Sequence, residues 1–307
     1  MKRMRKYDKI RRMKKAGGSL MLLLTALIWG MAFVVQRSGM SYLGPYTFQS
    51  VRTLLASAVL LPMALMSKKR RGSAWRMPPI GFALSCGLLV GFACLAQQVG
   101  LKTTPAGRAG FISSLYVVLV PVLGIFLGRK VGIKVWLGVI LAVIGLYLLS
   151  SVGRFSVSGG DLLMLVCAAL SAVHIVIIDR YGAGCDTLML SCLQFFVAGL
   201  IPIPMAVILE KPTFAEIWQV RWLILYAGVM SSAVGYTLQM LGQKHVPPAM
   251  ASLILSLESV FAAALGAVLL HETMTIRELI GCALMLCAVV LAQLRGNGSG
   301  DNNTESQ

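Results

Sequence analysis

The chain has 307 residues, of which 57% are hydrophobic and 13% charged, and its mean hydropathy is +0.80. This composition excludes a soluble globular domain, because no soluble domain of this length tolerates so apolar a surface. The formal net charge of +17 needs its own explanation, since basic chains bind nucleic acid or anionic lipid.

Ten apolar stretches follow one another, each close to the roughly 20 residues that a helix needs to cross a bilayer. Hydrocarbon offers backbone N–H and C=O groups no partner, so each stretch is predicted to be helical. The predicted fold class is an all-α membrane protein with ten transmembrane helices. They span residues 17–37, 45–66, 79–100, 105–127, 134–151, 161–179, 187–208, 222–242, 247–270 and 277–294.

The second five stretches repeat the first five. Segments 102–127 and 244–269 align at a constant offset, with Pro105/Pro247, Ser-Leu 114–115/256–257 and Gly124/Gly266 among the identities. Five helices is an odd number, so the two copies enter the membrane from opposite faces as inverted repeats. The predicted division is a basic amino-terminal segment 1–15, a first five-helix repeat 16–151, a second repeat 152–294 and a disordered polar tail 295–307.

Basic residues are distributed unevenly between the two predicted sides. Segment 2–15 and loop 68–76 fall on one side, together with Arg129, Lys130, Lys134, Arg180, Lys244 and Arg295. By the positive-inside rule this side is cytoplasmic and holds both termini, which places the chain in the cytoplasmic membrane. The charge then reflects topology and contact with anionic lipids. Nucleic-acid binding is disfavoured, because the basic runs lack interleaved aromatic residues and adjoin membrane spans.

No catalytic site, cofactor or metal site is predicted. His271-Glu272 lacks the second histidine of a metalloprotease motif, and no phosphate-binding loop for ATP is present. The three histidines, His174, His245 and His271, fall at different depths. Six of the seven cysteines lie in spans and are expected to act as small apolar residues.

Four motifs follow one another in a fixed order and spacing. They are Trp29-Gly30-Met31-Ala32-Phe33, Val51-Arg52-Thr53-Leu54-Leu55-Ala56, Ser114-Leu115 through Pro121, and Leu257-Glu258-Ser259-Val260-Phe261. Together they resemble the drug/metabolite transporter superfamily in its ten-helix EamA-type branch. The resemblance implies export or import of small metabolites, amino acids or drugs. The family has a Gly-Glu pair after the ninth helix, where this chain has His271-Glu272. At the equivalent place in the first repeat it has Arg129-Lys130, so the acidic residue is missing there.

Charged side chains inside the spans need a reason, since each costs about 2.5–3.5 kcal/mol at a helix centre. Glu258 lies about half-way along the ninth span, which suits either a proton-linked switch or a hydrogen-bonded structural acid. Tyr116 holds the equivalent position in the first repeat and is expected at the same cavity, or is a packing aromatic. Arg52, with Gln49 on its face, suits an anionic substrate group or a structural bridge.

Seven further residues are candidates for contact with a solute: Trp29, His174, Gln97, Gln194, Tyr236, Gln239 and Arg108. Trp29 suits the cavity or helix packing, and His174 a proton relay or a hydrogen-bonded core position. Gln194 matches Arg52 across the repeat, which would make the site asymmetric. Arg108 lies one turn inside the fourth span, where it can reach the outer interface instead.

Small residues and prolines predict helix contacts and kinks. Gly87-x-x-x-Gly91 and Gly124-x-x-x-Gly128 predict tight packing of the third and fourth helices, with a homodimer seam as an alternative. Pro121 in the fourth span, and Pro202 and Pro204 in the seventh, predict kinks.

These observations predict a secondary active transporter that moves a small organic metabolite by alternating access, with proton coupling as a further hypothesis. Gradient-independent exchange or facilitated diffusion stays open. A non-transporting membrane assembly protein or lipid-modifying enzyme is the alternative from another class, although the scattered acidic residues do not favour it.

Overall fold

The computed structural model describes residues 2–72, 75–104, 106–149, 158–269 and 274–293, with backbone only for residues 2–12, 71, 106–108 and 183. These residues form helices and turns, without a strand. Nine of the described helical stretches are long and apolar enough to cross a membrane, and Ile133–Leu149 is a shorter apolar helix. The predicted all-α, ten-helix fold class is therefore confirmed. The tail predicted to be disordered, His271 and Glu272 lie outside the described residues.

The helices follow the predicted spans closely. The first half contains α1 (Lys2–Gly39), α2 (Pro45–Arg71), α3 (Ile80–Gly100), α4 (Ala106–Ser113), α5 (Tyr116–Phe126) and α6 (Ile133–Leu149). The second half contains α7 (Gly159–Tyr181), α8 (Thr187–Leu200), α9 (Ile203–Met205), α10 (Phe214–Gln219), α11 (Arg221–Leu225), α12 (Tyr236–Gln243), α13 (Pro248–Leu255), α14 (Glu258–Leu269) and α15 (Ile276–Gln293). Wider π-helical turns cover Ala206–Glu210 and Tyr226–Gly235.

The fourth and ninth spans are interrupted at the same place in the repeat. Ser114-Leu115 separates α4 from α5, and Ser256-Leu257 separates α13 from α14. At both breaks the backbone changes to tighter bonds between residues three apart, such as Val117 N–H to Ser114 O at 3.0 Å and Ser259 N–H to Ser256 O at 3.2 Å. The fourth span is therefore interrupted about two turns before Pro121, which lies within α5.

Equivalent helices of the two halves pack against each other in opposite directions. Helix α2 packs along α8, and α6 packs along α15. Ser50 on α2 donates to Gly199 O, and further along α2 Ser57 donates to Cys192 O at 3.0 Å. The partner's number falls as the donor's number rises, so α2 and α8 are antiparallel. This is the relation that inverted repeats require.

The other contacts between the two halves follow the same two-fold symmetry. Helix α1 packs against α12 and α14 of the second half, and α7 packs against α3, α4 and α5 of the first. The third and fourth spans of each half therefore contact the first span of the other half. The interface between the halves is formed by these crossed contacts together with the α2–α8 and α6–α15 pairs.

Close helix approach at Gly87 and Gly91 is present, and the helix that approaches them is α8. A Cβ at Gly87 would lie 2.6 Å from Val197 Cβ, and one at Gly91 would lie 3.0 Å from Ala198 Cα, so both glycines of α3 pack on α8. Gly124 has only Arg129 nearby, at 3.9 Å, and Gly128 has a φ of +77° after the end of α5. The second motif therefore ends a helix, for which glycine is suited, and does not join two.

Contacts between helix ends define two faces of the bundle. At one face, Asp186 N–H donates to Arg76 O at 3.0 Å, and Arg129 forms an ion pair with Asp179. We call this end, which carries the basic loop 68–76, the basic face. A Cβ at Gly18 would lie 2.9 Å from Gly242 O, so α1 packs tightly against the end of α12 at the basic face. The other end is the opposite face.

At the opposite face, Glu210 caps α2 from 163 residues away. Its carboxylate accepts from Tyr46 N–H at 3.0 Å, from Thr47 N–H at 2.7 Å and from the Thr47 hydroxyl at 2.6 Å. These are N–H groups that a helix start leaves without intrahelical partners, and the helix dipole favours a negative charge there. Glu210 thus ties the second half to the first.

We expect Glu210→Ala to lower the free energy of unfolding by about 2 kcal/mol, because it leaves charge-assisted hydrogen bonds unmade. Thermal unfolding in detergent measures the change. Glu216→Ala is the matched control, since Glu216 caps only the short exposed helix α10 through Thr213. Equal losses in the two variants would contradict a role for Glu210 in joining the halves.

Candidate functional site

A polar cavity lies between the two halves at mid-depth. Its volume, including its open mouth, is about 710 Å³. It is lined by residues of α1, α2, α3, α4, α5, α7, α12, α14 and the π-helical turn before α12. The lining residues of α1 and α3 lie in the part of each helix that is nearer the opposite face. The cavity reaches furthest towards the basic face at Ile175 and Gln239.

The two helix breaks bring Tyr116 and Glu258 together. Each is the first residue of the helix after its break, and the Tyr116 hydroxyl donates to Glu258 Oε1 at 3.0 Å. Ser114 lies 3.4 Å from the same oxygen and 3.0 Å from the Ser259 hydroxyl. The sequence predicted that the phenol and the carboxyl approach one cavity, and the structure places them in direct contact. The Glu258 carboxyl is therefore held by neutral hydroxyl donors at the start of α14, where the helix dipole favours a negative charge.

Arg52 brings a cation to the same cavity. Its Nε and Nη2 atoms donate to Gln49 Oε1 at 2.8 and 2.6 Å, and its side chain is 3% exposed. Within the described parts of the chain, no carboxylate lies within 4.0 Å of it. A guanidinium whose partner is a neutral amide retains its full positive charge, so it can bind an anionic group bidentately.

Tyr236 is the centre of an aromatic cluster in the cavity wall. Its ring centroid lies 4.7 Å from that of Trp29, 5.1 Å from that of Phe195 and 6.1 Å from that of His174. The Trp29 Nε1–H donates to Ser231 O at 3.1 Å. Ser231 lies in the π-helical turn, where widened turns alter the i to i−4 bonding of the backbone. This contact fixes α1 against the second half.

His174 and Gln194 form a buried pair next to the cavity. His174 Nε2 lies 3.1 Å from Gln194 Oε1, and both side chains are at most 2% exposed. His174 lines the cavity, whereas Gln194 lies behind it. The Gln194 Nε2 group is buried without a hydrogen-bond partner.

Eight of the ten predicted candidates line the cavity: Glu258, Tyr116, Arg52, Trp29, His174, Gln97, Tyr236 and Gln239. Gln194 reaches it only through His174, and the side chain of Arg108 lies outside the described residues. The cavity also contains polar residues that the sequence analysis did not single out: Gln36, Cys94, Ser113, Cys167, Ser171 and Ser231. Gln36 could have been found, because it follows Trp29 and Phe33 on one helical face.

Gly30 lets α1 approach the helix start that carries Glu258. A Cβ at Gly30 would lie 2.6 Å from Phe261 Cβ and 2.8 Å from Glu258 O. We expect Gly30→Val to lower the free energy of unfolding by about 1–3 kcal/mol, since it would force α1 away from α14. Gly17→Val on the same helix is the control, because nothing lies within 4 Å of its Cβ position. Equal thermal shifts for the two variants in detergent would contradict this role.

Two inverted halves around a buried polar cavity are the architecture of a membrane transporter. The model of the EamA-like transporter family matches residues 16–151 and 158–294. The chain therefore belongs to the EamA-like transporter family and is a multi-pass membrane protein.

Relatives of similar length are also transporters by name. An uncharacterized transporter of Archaeoglobus fulgidus is 32% identical over 92% of this chain and 87% of its own. The inner membrane transporter YedA of Escherichia coli is 26% identical over 87% and 88%. The threonine/homoserine exporter RhtA of Salmonella typhimurium is 28% identical over 80% and 79%.

A protein of known crystal structure shares the fold. It superposes with a TM-score of 0.73 at 19% identity, and the match covers 91% of this chain and 96% of the other.

Proposed function

We propose that this protein is a secondary active transporter that moves a small organic solute by alternating access, with the mid-depth cavity as its binding site. The observation that carries the proposal is the position of Arg52 and Glu258 in one cavity between antiparallel halves. Inverted halves have two near-equivalent packings, so rocking one against the other opens the cavity to each side in turn.

The moving units in this proposal are the repeats 16–151 and 152–294, as the sequence predicts. In this proposal the basic face is the cytoplasmic side of the cytoplasmic membrane, since Lys and Arg accumulate there, where they would contact anionic lipids. The tight contact between Gly18 and Gly242 closes this side, while the cavity extends towards the opposite face. The arrangement supports a state that is open or nearly open to the outside.

The solute class that fits the cavity best is an amino acid or a related metabolite. Arg52 would hold a carboxylate, and Glu258 with Tyr116 would hold an amino group or a hydroxyl. The aromatic cluster around Tyr236 offers an apolar surface for a side chain. The name of the Salmonella relative, a threonine/homoserine exporter, supports the same class.

Glu258 would couple transport to protons. A carboxylate that is 5% exposed in a hydrocarbon setting is costly, and its ionised form is held by two neutral hydroxyls and a helix start. A solute cation that arrives at this carboxylate, or a proton that does so instead, would neutralise it. Competition between the two would link their movements.

Flux into vesicles tests the proposal. The purified protein in proteoliposomes is given a proton gradient and labelled amino acids, with a purine and a cationic dye as solutes of other classes. Saturable flux of an amino acid that empty vesicles lack is the expected result. Absence of flux for every solute, in protein that unfolds cooperatively, would oppose transport by this chain.

A further inference from the structure

Two pairs of equivalent residues meet where the halves face each other. Tyr116 and Glu258 are 142 positions apart, which is the offset of the internal repeat, and a hydrogen bond of 3.0 Å joins them. Cys94 and Tyr236 are also 142 positions apart, and the Cys94 Sγ lies 3.3 Å from the Tyr236 hydroxyl. Residues related by a two-fold axis touch each other only close to that axis. The pseudo-two-fold axis between the halves therefore passes through the mid-depth cavity, which all four residues line.

A pair of glutamines lies on the two sides of this contact. Gln97 follows Cys94 by three residues on α3, and Gln239 follows Tyr236 by three residues on α12, so these two positions are also equivalent. Both glutamines line the cavity. Because α3 runs towards the opposite face and α12 towards the basic face, each glutamine lies about 4.5 Å along its helix from the axial pair, in opposite directions.

The two glutamines differ in burial. Gln97 is partly exposed, whereas Gln239 is 1% exposed and its Oε1 has no hydrogen-bond partner. Gln239 lies where the cavity reaches furthest towards the basic face, so it forms the floor of the cavity. A buried amide oxygen without a partner costs free energy unless a ligand or water donates to it. The floor can therefore accept a hydrogen bond from a bound solute.

The glutamines are also the same side chain at equivalent positions. Among the described residues that line the cavity, theirs is the one equivalent pair that is identical in the two halves. Exchange of the two packings exchanges the environments of equivalent residues. When the cavity opens to the basic face, Gln97 would take the place at the floor that Gln239 has here. An amide then forms the floor in both states, so one group of the solute can keep the same partner chemistry on both sides.

The chemistry of the amide indicates which group of the solute this is. In the proposed function, the charged ends of an amino acid are bound by Arg52 and Glu258. A glutamine amide is neutral and offers an acceptor and two donors, so it suits a neutral polar group such as a hydroxyl or a carboxamide. A binding site that pairs a buried polar group with such a solute group discriminates against the analogue that lacks it.

We propose that Gln97 and Gln239 determine specificity for an amino acid whose side chain carries a hydroxyl or a carboxamide. Gln239 bonds this group while the cavity is open to the opposite face, and Gln97 does so while it is open to the basic face. The inference rests on the proposed function, because it names the kind of side chain that the transported amino acid carries.

Isosteric pairs of amino acids test the inference. Threonine and valine have nearly the same shape, as do asparagine and leucine, and only the first of each pair carries the polar group. Thermal stabilisation of the full chain in detergent measures their affinities. We expect the polar member of at least one pair to bind about tenfold more tightly, since its analogue would leave the floor oxygen without a partner.

Methionine variants show whether the glutamines cause the preference, because methionine has a similar volume and no amide. Gln97→Met/Gln239→Met should bind both members of the pair equally, whereas Gln98→Met should keep the tenfold preference. Gln98 is fully buried beside Gln97 but does not line the cavity, and its equivalent in the second half is Met240. If the double variant does not unfold cooperatively, each single variant is measured and should reduce the preference.

Two results would overturn the inference. The first is equal affinity within both pairs, which would leave the proposed transport of amino acids standing. The second is a preference that survives in the double variant, which would point instead to Gln36, another cavity residue whose Oε1 has no partner. Failure of all four amino acids to bind, together with absence of flux, contradicts the proposed function itself.

Competition from each side of oriented vesicles assigns the glutamines to their states. With the polar amino acid as labelled solute, its isosteric analogue should compete about tenfold less well than the unlabelled solute. Gln239→Met should remove this difference at the opposite face only, and Gln97→Met at the basic face only. Labelling of Cys185, next to the turn Gly182–Gly184, with an impermeant maleimide in a variant without the other cysteines reports the orientation. Equal effects of both variants on both sides would overturn the alternation of the two amides.

Discussion

We expect Glu258→Gln to abolish proton-driven accumulation while retaining solute exchange at a lower affinity, because the amide can still bind the solute but lacks the negative charge that faces its amino group. For one proton per solute, a gradient of one pH unit supports about tenfold accumulation, because one unit corresponds to about 1.4 kcal/mol. The variant should reach about equal concentrations on both sides. Its amide oxygen can still accept from the Tyr116 and Ser114 hydroxyls, so the fold around the break should persist. Counterflow and gradient-driven uptake in the same vesicles separate the two effects.

Glu216→Gln is the matched control for this substitution, since Glu216 lies on the exposed helix α10. It should accumulate solute like the unsubstituted protein. If Glu258→Gln also accumulates solute, proton coupling through this carboxyl is wrong. Gradient-independent exchange or facilitated diffusion would then be the better account of the cavity.

The second large effect is expected at Arg52. Arg52→Gln should weaken solute binding about 10- to 100-fold, because a charge-assisted hydrogen bond contributes about 1.5–3 kcal/mol. Arg52→Lys should recover part of the affinity, since an ammonium keeps the charge but lacks the planar fork. Ligand-dependent thermal stabilisation in detergent measures the affinities, with the solute that the flux assay identifies.

A methyl ester of the same amino acid shows whether the carboxylate is the partner. If it is, the ester and Arg52→Gln remove one interaction, and their effects should not add. Additive losses would instead assign Arg52 to a structural role. Arg37→Gln, on the exposed end of α1, should leave the affinity unchanged.

The transmembrane helices were predictable because their length and composition are imposed by the bilayer. The third span was predicted at 79–100 and observed as Ile80–Gly100, and the first was predicted at 17–37 within the observed apolar stretch Met13–Gly39. Hydrocarbon demands about 20 apolar residues per helix and satisfies no backbone group from outside, so local sequence decides these elements. Polar residues such as Glu258 and Arg52 are conspicuous in the spans for the same reason.

The interruptions of the fourth and ninth spans were not predictable from local signals. A Ser-Leu pair is not a helix breaker, and the sequence directed attention to Pro121 instead. The breaks are explained by a tertiary contact. They place Tyr116 and Glu258 at helix starts, where the two residues contact each other across the two halves. That contact joins residues 142 positions apart, so no local pattern contains it.

The sequence by itself determined that ten helices cross the membrane in two repeated sets, because hydropathy and an internal offset are properties of the chain. Tertiary structure alone decided which helices touch and what surrounds each polar group. The glycines of α3 predicted a close approach but pack on α8, and Glu210, which sits at a helix end, caps a helix of the other half. Partner choice depends on the complementary shapes and charges of distant surfaces, which are set only once both halves are folded together.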